Sequence, residues 1–255
     1  MRPALLRLLS PALLAAVLAT AGCDAGPTRA AGAPATSGPA ASASAPAPAS
    51  PPAPPKPRVS KATLAYFFKI ALGAEYGDDV KVVIKWSQPV VTVRLEGKPD
   101  APARTCLQRV VADFNELSAT TRLRLTTDST ADIRMYFGPV SRFRSVEPSY
   151  VPGNDGFFTV AWRGDHTISN GTVLIRTTGI GDRVRCHLIR EELTQSMGLM
   201  RDADDHPDSV FYGEYWAMPT KYSGLDEKLI RLLYGGALRP GDTRKDITAA
   251  VTVAG

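Results

Sequence analysis

The chain has 255 residues, 44% of them hydrophobic, and a formal net charge of +5. Arg2, Arg7, Arg29 and Lys56 set against Asp24 supply three of those charges, leaving +2 from Arg58 onward, too little for an electrostatic footprint on nucleic acid. Walker loops, paired C-x-x-C motifs and Gly-rich dinucleotide fingerprints are missing from the sequence, and the roughly two hundred residues after the first segment suffice for one domain with a core of its own.

In chain order, Arg2 and Arg7 precede an apolar run over residues 8–21, a length that suits an export signal and falls short of a bilayer span. Ala21 and Gly22 stand directly before Cys23, which resembles the lipobox of bacterial lipoproteins. The resemblance implies a signal peptide over residues 1–22, acylation of the Cys23 thiol, and a membrane partner reached through that lipid on the outer side of the cytoplasmic membrane. An ordinary secretory signal is the alternative. Residues 23–57 are almost entirely Ala, Pro, Ser, Gly and Thr, a composition that builds no core and reads as a disordered linker. Residues 58–255 form the domain, and no later segment is long and apolar enough to cross a bilayer. With Cys23 assigned to lipid, Cys106 and Cys186 remain as an even pair in an oxidising compartment. One disulfide is expected, with two separate buried thiols as the alternative.

Within the domain, residues 60–72 open on a Ser N-cap signal and end before Gly73, predicting a helix. Residues 80–86 and 90–95 are rich in β-branched side chains and predict two strands. Ala103, Cys106, Val110, Phe114 and Leu117 recur at helical spacing and predict a helix over 102–117. Strands are expected at 123–126 and 131–137, then an irregular loop over 138–155 carrying Pro139, Pro148 and Pro152. Residues 157–163 and 172–177 return to strand composition before helices at 183–197 and 225–235. This order gives an α+β class, a mixed sheet packed against long helices.

The segment with the most chemistry is 186–212, CHLIREELTQSMGLMRDADDHPDSVFY, followed by LDEKLIRLLYG at 225–235. Its order resembles the active-site helix, turn and final helix of zincin metallopeptidases of the metzincin type, whose signature is H-E-x-x-H-x-x-G-x-x-H. On that frame Glu191 and Gln195 occupy the two helical ligand positions, Glu192 the general base, Gly198 the turn, Arg201 the third ligand, and Phe211 the place of the turn methionine. Residues four apart share a helix face, so positions 191 and 195 point together. The Cys, E-E-x-x-Q-x-x-G-L, Asp, turn and Leu-Tyr order also resembles the bacterial domain of unknown function 2927.

Both helical histidines of the zincin signature are replaced here. Gln195 offers a neutral carbonyl and Arg201 cannot be deprotonated to bind a cation. No cofactor is therefore expected, zinc being the alternative, and the vestigial positions predict that the Arg201 guanidinium bridges Glu191 and Gln195. Three other readings were open: a displaced metal site using His187, a calcium site at Asp202, Asp204, Asp205 and His206, and a Glu191/Glu192 acid–base pair of the glycosidase kind. The resemblance implies a degenerate zincin-like module that binds an envelope protein, peptide or polymer and no nucleic acid. A metal-dependent hydrolase with Glu192 as general base is the alternative function.

Overall fold

The computed structural model describes residues 55–74, 80–214 and 217–254. The signal, Cys23 and the linker up to residue 54 lie outside them. Strand β1 (Arg58–Ser60) leads directly into α1 (Lys61–Ala71), where Ser60 accepts a hydrogen bond from the Thr63 N–H as the helix cap. Strand β2 (Val90–Gly97) is followed by α2 (Ala101–Leu117), capped by Asp100 and buried along Ala103, Cys106, Leu107, Val110 and Phe114. Then come β3 (Arg122–Thr126), β4 (Ile133–Gly138), a 3-10 turn (Val140–Arg142), the short α3 (Phe143–Val146), β5 (Gly156–Trp162) and β6 (Ile168–Arg176). The chain closes with α4 (Asp182–Gln195), α5 (Gly224–Tyr234), α6 (Arg244–Ala250) and β7 (Thr252–Ala254).

The main sheet has the order β3-β2-β4-β6-β5, parallel throughout except for β5, which runs antiparallel at one edge. Strand period sorts its side chains. Val91, Val93, Ile133, Met135, Phe137, Val173 and Ile175 belong to the main core with α1, α2, α4 and α5. Leu174 faces the other way, into a smaller cluster with Phe143, Tyr150 and Phe157. Its rings meet edge to face, with centroids 5.1 Å apart for Phe143–Tyr150 and 5.4 Å for Tyr150–Phe157. The expected α+β arrangement holds, and α2 and α4 are tied by the Cys106–Cys186 disulfide with Cα atoms 5.7 Å apart.

Residues 80–86 correct the sequence reading. They are extended and mostly buried but form only isolated bridges, at Val82 with Thr243 and Lys85 with Thr167. Their backbone groups are met by loops instead: Val83 N–H donates to Asp242, Gly241 N–H to Val83 and Ile168 N–H to Lys85. The side chain of Lys85 is buried and donates to the carbonyls of Leu233 in the last turn of α5 and of Leu238 beyond it, and burial lowers its pKa to about 8. High β propensity here reflects burial rather than ladder pairing. The expected irregular loop at 138–155 also holds the 3-10 turn and α3.

Candidate functional site

Ionic and amide side chains are seldom fully buried unless they are paired. Helix α4 is an exception in kind: Arg185, His187, Arg190, Glu191, Glu192, Thr194 and Gln195 are all buried in it. Packing against α2, β5 and β6 leaves the helix no solvent face in its second half. Its end is fixed from two sides. Gly198 adopts φ +106°, and a Cβ there would lie 2.2 Å from the Ile84 carbonyl oxygen, so only glycine makes this turn. The last carbonyls of the helix end are satisfied by Trp86 Nε1, which donates to Ser196 at 3.0 Å, and by Tyr234 Oη, which donates to Met197 at 2.7 Å. The Leu-Tyr-Gly ending of α5 therefore has a physical task at the end of α4.

The two helical positions that the motif resemblance assigned to metal ligands, Glu191 and Gln195, carry side chains bonded within the protein. Glu191 Oε2 lies 3.2 Å from His187 Nε2, one turn earlier, and His187 Nδ1 lies 2.8 Å from the Pro219 carbonyl. Gln195 Nε2 donates to Asp202 Oδ1 at 2.5 Å. The partner expected for Gln195 was Arg201, acting as a donor. The structure supplies a carboxylate from the next residue and makes Gln195 the donor, and neither of these two bonds involves Arg201. Arg201 donates its backbone N–H to Ile70, and its side chain runs so close to Gly73 that a Cβ there would be 2.4 Å from Arg201 Cδ.

A cleft of about 230 Å³ opens over this helix face. His187, Glu191, Glu192 and Asp202 line it from below, and Asn154, Asp155 and Gly156 at the start of β5 line it from the side. Tyr212 and Glu214 close it from the stretch after the Ser-Val-Phe turn. Glu192 fits because residue 156 is glycine: a Cβ there would come 2.3 Å from Glu192 Oε1. Five carboxylates thus line the cleft; Glu191 pairs with His187, and Asp155 with Arg176 at 2.7 Å. The wall from β5 precedes α4 by a separate strand and no motif pointed to it, whereas Tyr212 closes the 186–212 segment and Glu214 follows it.

Burial works against the charged form of His187, but the Glu191 carboxylate, with help from the Pro219 carbonyl, outweighs it and raises the imidazole above its ordinary 6.5. A histidine raised in the fold stabilises it fully below about pH 6.5, its unfolded value. That contribution is lost as pH rises through the higher folded value. Thermal melts across this window are expected to show a loss of stability on the alkaline side that His187→Gln removes. An identical pH profile for wild type and variant refutes the pairing.

The turn below the cleft is held by Asp226 of α5, fully buried. Its carboxylate accepts from Ser209 Oγ at 2.6 Å, Val210 N–H at 3.1 Å and Ser223 N–H at 2.8 Å, while Tyr66 Oη donates to Ser209 at 3.0 Å. Phe211, in the place of the turn methionine, is buried in the core. The acidic loop is engaged with a cation: Lys69 Nζ is 3.0 Å from Asp205 and 3.5 Å from Asp204, and His206 meets Tyr66 edge to face. Among the described residues no three His, Cys, Asp or Glu side chains form a metal cluster. The side chains at the positions that the motif resemblance assigned to zinc fit it poorly: Gln195 is a neutral amide and Arg201 a cation, while both nitrogens of His187 are bonded, to Glu191 and to Pro219.

No curated protein matches the chain. Among solved structures it is similar to two of myroilysin, at 11% and 12% identity with TM-scores of 0.40 and 0.44. These cover 59% and 71% of this chain and 95% and 98% of theirs, a likeness too loose to carry a function across. Residues 60–253 match the family described as Protein of unknown function (DUF2927), and the chain therefore belongs to that family.

Proposed function

We propose that the chain is a lipid-anchored, extracytoplasmic binding module built on a zincin-like frame, in which hydrogen-bonded pairs have replaced the metal. One observation carries this reading: the side chains in both helical ligand positions are buried and bonded inside the protein, Glu191 to His187 and Gln195 to Asp202. Removing a buried charge or amide from its partner costs free energy, so these pairs hold the cleft floor in one shape. The carboxylates around the cleft favour a ligand that brings donors or positive charge, such as a peptide or polymer of the envelope. Elemental analysis of purified protein tests the reading. The expected result is no stoichiometric zinc and a melting temperature unmoved by chelator or added zinc.

A second reading, a metal-dependent hydrolase with Glu192 as general base, is favoured by the place of Glu192 in the cleft beside the first residue of edge strand β5. One bound zinc per chain, with hydrolysis of an envelope peptide abolished in Glu192→Gln, establishes that reading and overturns the first. No helix of the described residues is long and apolar enough to cross a membrane; the proposed anchor is lipid on Cys23. Cys23→Ala is expected to release the protein from membranes or leave it unprocessed, since acyl chains contribute about 0.8 kcal/mol per buried methylene. Membrane fractionation and acyl labelling read the outcome, and an unchanged pattern rejects the anchor.

A further inference from the structure

Helix α4 presents a second site on a different face from the cleft. Arg190 is 2% exposed, yet of its five N–H donors the structure partners one group only, Nη2, which donates to Asp113 Oδ2 at 2.6 Å. Its Nε and Nη1 are buried and have no hydrogen-bond acceptor among the described residues. The Tyr222 ring packs over the guanidinium with the Arg190 Cζ 4.4 Å from its centroid, holding the fork in one plane. Buried donors without acceptors are rare in native proteins, and those that persist are commonly met by water or a ligand.

Arg190 lines a pocket of about 400 Å³ between α2, α4 and α5. Exposed Arg109, Lys221 and Arg231 stand at its rim. Against these four cations the pocket sets three carboxylates, Asp113, Glu116 and Glu227, a surplus of one positive charge. Asp113 holds Arg190 closely but from the solvent side, its own side chain 44% exposed, and Arg231 is held loosely, 4.0 Å from Glu227. Leu117 and Tyr222 supply apolar contact beside the charged groups.

We propose that this pocket binds a monocarboxylate that displaces the half-exposed Asp113 side chain from Arg190 Nη2, with Arg109, Lys221 and Arg231 drawing it in from the rim. A guanidinium fork matches the two oxygens of a carboxylate, and Asp113 already shows that geometry in part. The single surplus charge selects a monoanion. A phosphate, with a charge of about −1.5 to −2, meets the same three carboxylates and is disfavoured. A peptide C-terminus with an apolar last side chain has the required chemistry. The site does not depend on the cleft or its metal content, because Arg190 and the Glu191/Glu192 pair face different ways on the helix.

The test uses the full chain at constant ionic strength, with N-acetyl-phenylalanine, its amide and inorganic phosphate as probes in calorimetry and thermal melts. The expected result is saturable binding and stabilisation by the acid, none by the amide, and weaker binding of phosphate. Arg190 substitutions risk the fold, so the exposed variants Arg109→Gln and Arg231→Gln carry the test. Each is expected to weaken the acid about tenfold, the loss of one charge-assisted contact. Equal binding of acid and amide, preference for phosphate, unchanged affinity in both rim variants, or no saturable response to any anion each overturns the proposal.

Discussion

Replacing Cys106 and Cys186 together by alanine, or reducing the bridge, is expected to lower the unfolding free energy by about 2 to 5 kcal/mol. The bridge closes a loop spanning 80 residues of sequence and joins the two helices that cover the sheet. In the chain-entropy account the effect acts mainly on the unfolded ensemble, which regains the freedom the cross-link removed. The native contacts around Cys106, 2% exposed on the apolar stripe of α2, are otherwise kept. Denaturant titrations with and without reductant measure the difference. A midpoint unchanged by reduction rejects a stabilising role for the bridge.

Asp226→Ala is expected to be comparably severe, at about 3 to 5 kcal/mol, because three buried or half-buried donors lose one carboxylate acceptor together. Asp226→Asn separates charge from geometry. With its carbonyl turned to the Val210 and Ser223 N–H groups, asparagine keeps two of the three contacts. Its amide meets Ser209 Oγ, which already accepts from Tyr66 Oη and Phe211 N–H, so the third returns only if the Tyr66 bond reverses. It should recover more than half of the loss. Equal destabilisation by both variants means that the charge, rather than the bonding pattern, holds the turn. A loss below about 1 kcal/mol in Asp226→Ala means that the turn stands without it.

The parts legible in the sequence were those with local causes. The Ser60 cap, the apolar spacing of α2 and the length of α4 each follow from neighbouring residues, and the helices lie where those signals put them. Helix α6 also carries a local signal, the capping box of Thr243 and Asp246. Strands β1 and β7 had none, because three-residue strands exist only through each other. The same division runs through the site. Spacing put Glu191, Glu192 and Gln195 on one helix with Gly198 after it. The choice of Asp202 over Arg201 as the partner of Gln195 depends on how the returning chain is aimed by Gly198, which spacing does not record. Asp155, Gly156 and Glu214 reach the cleft only through the sheet and the turn, so their part in it belongs to the tertiary structure alone.

The pairing of β1 with β7 bears on how the chain folds. Arg58 pairs with Thr252 and Ser60 with Ala254, so the first ordered strand finds its partner only when nearly the whole domain has been made. Contacts of such long sequence separation form late, because the entropy of closing the intervening chain must be met before they contribute. Helix α1 is contiguous with β1 and docks on α5, so the N-terminal helix waits on the C-terminal half for its burial. A nascent chain that stops short of α5 therefore leaves α1, whose Phe67, Phe68 and Ile70 are buried in the complete domain, without its partner helix, and such incomplete chains present an apolar helix to chaperones and proteases.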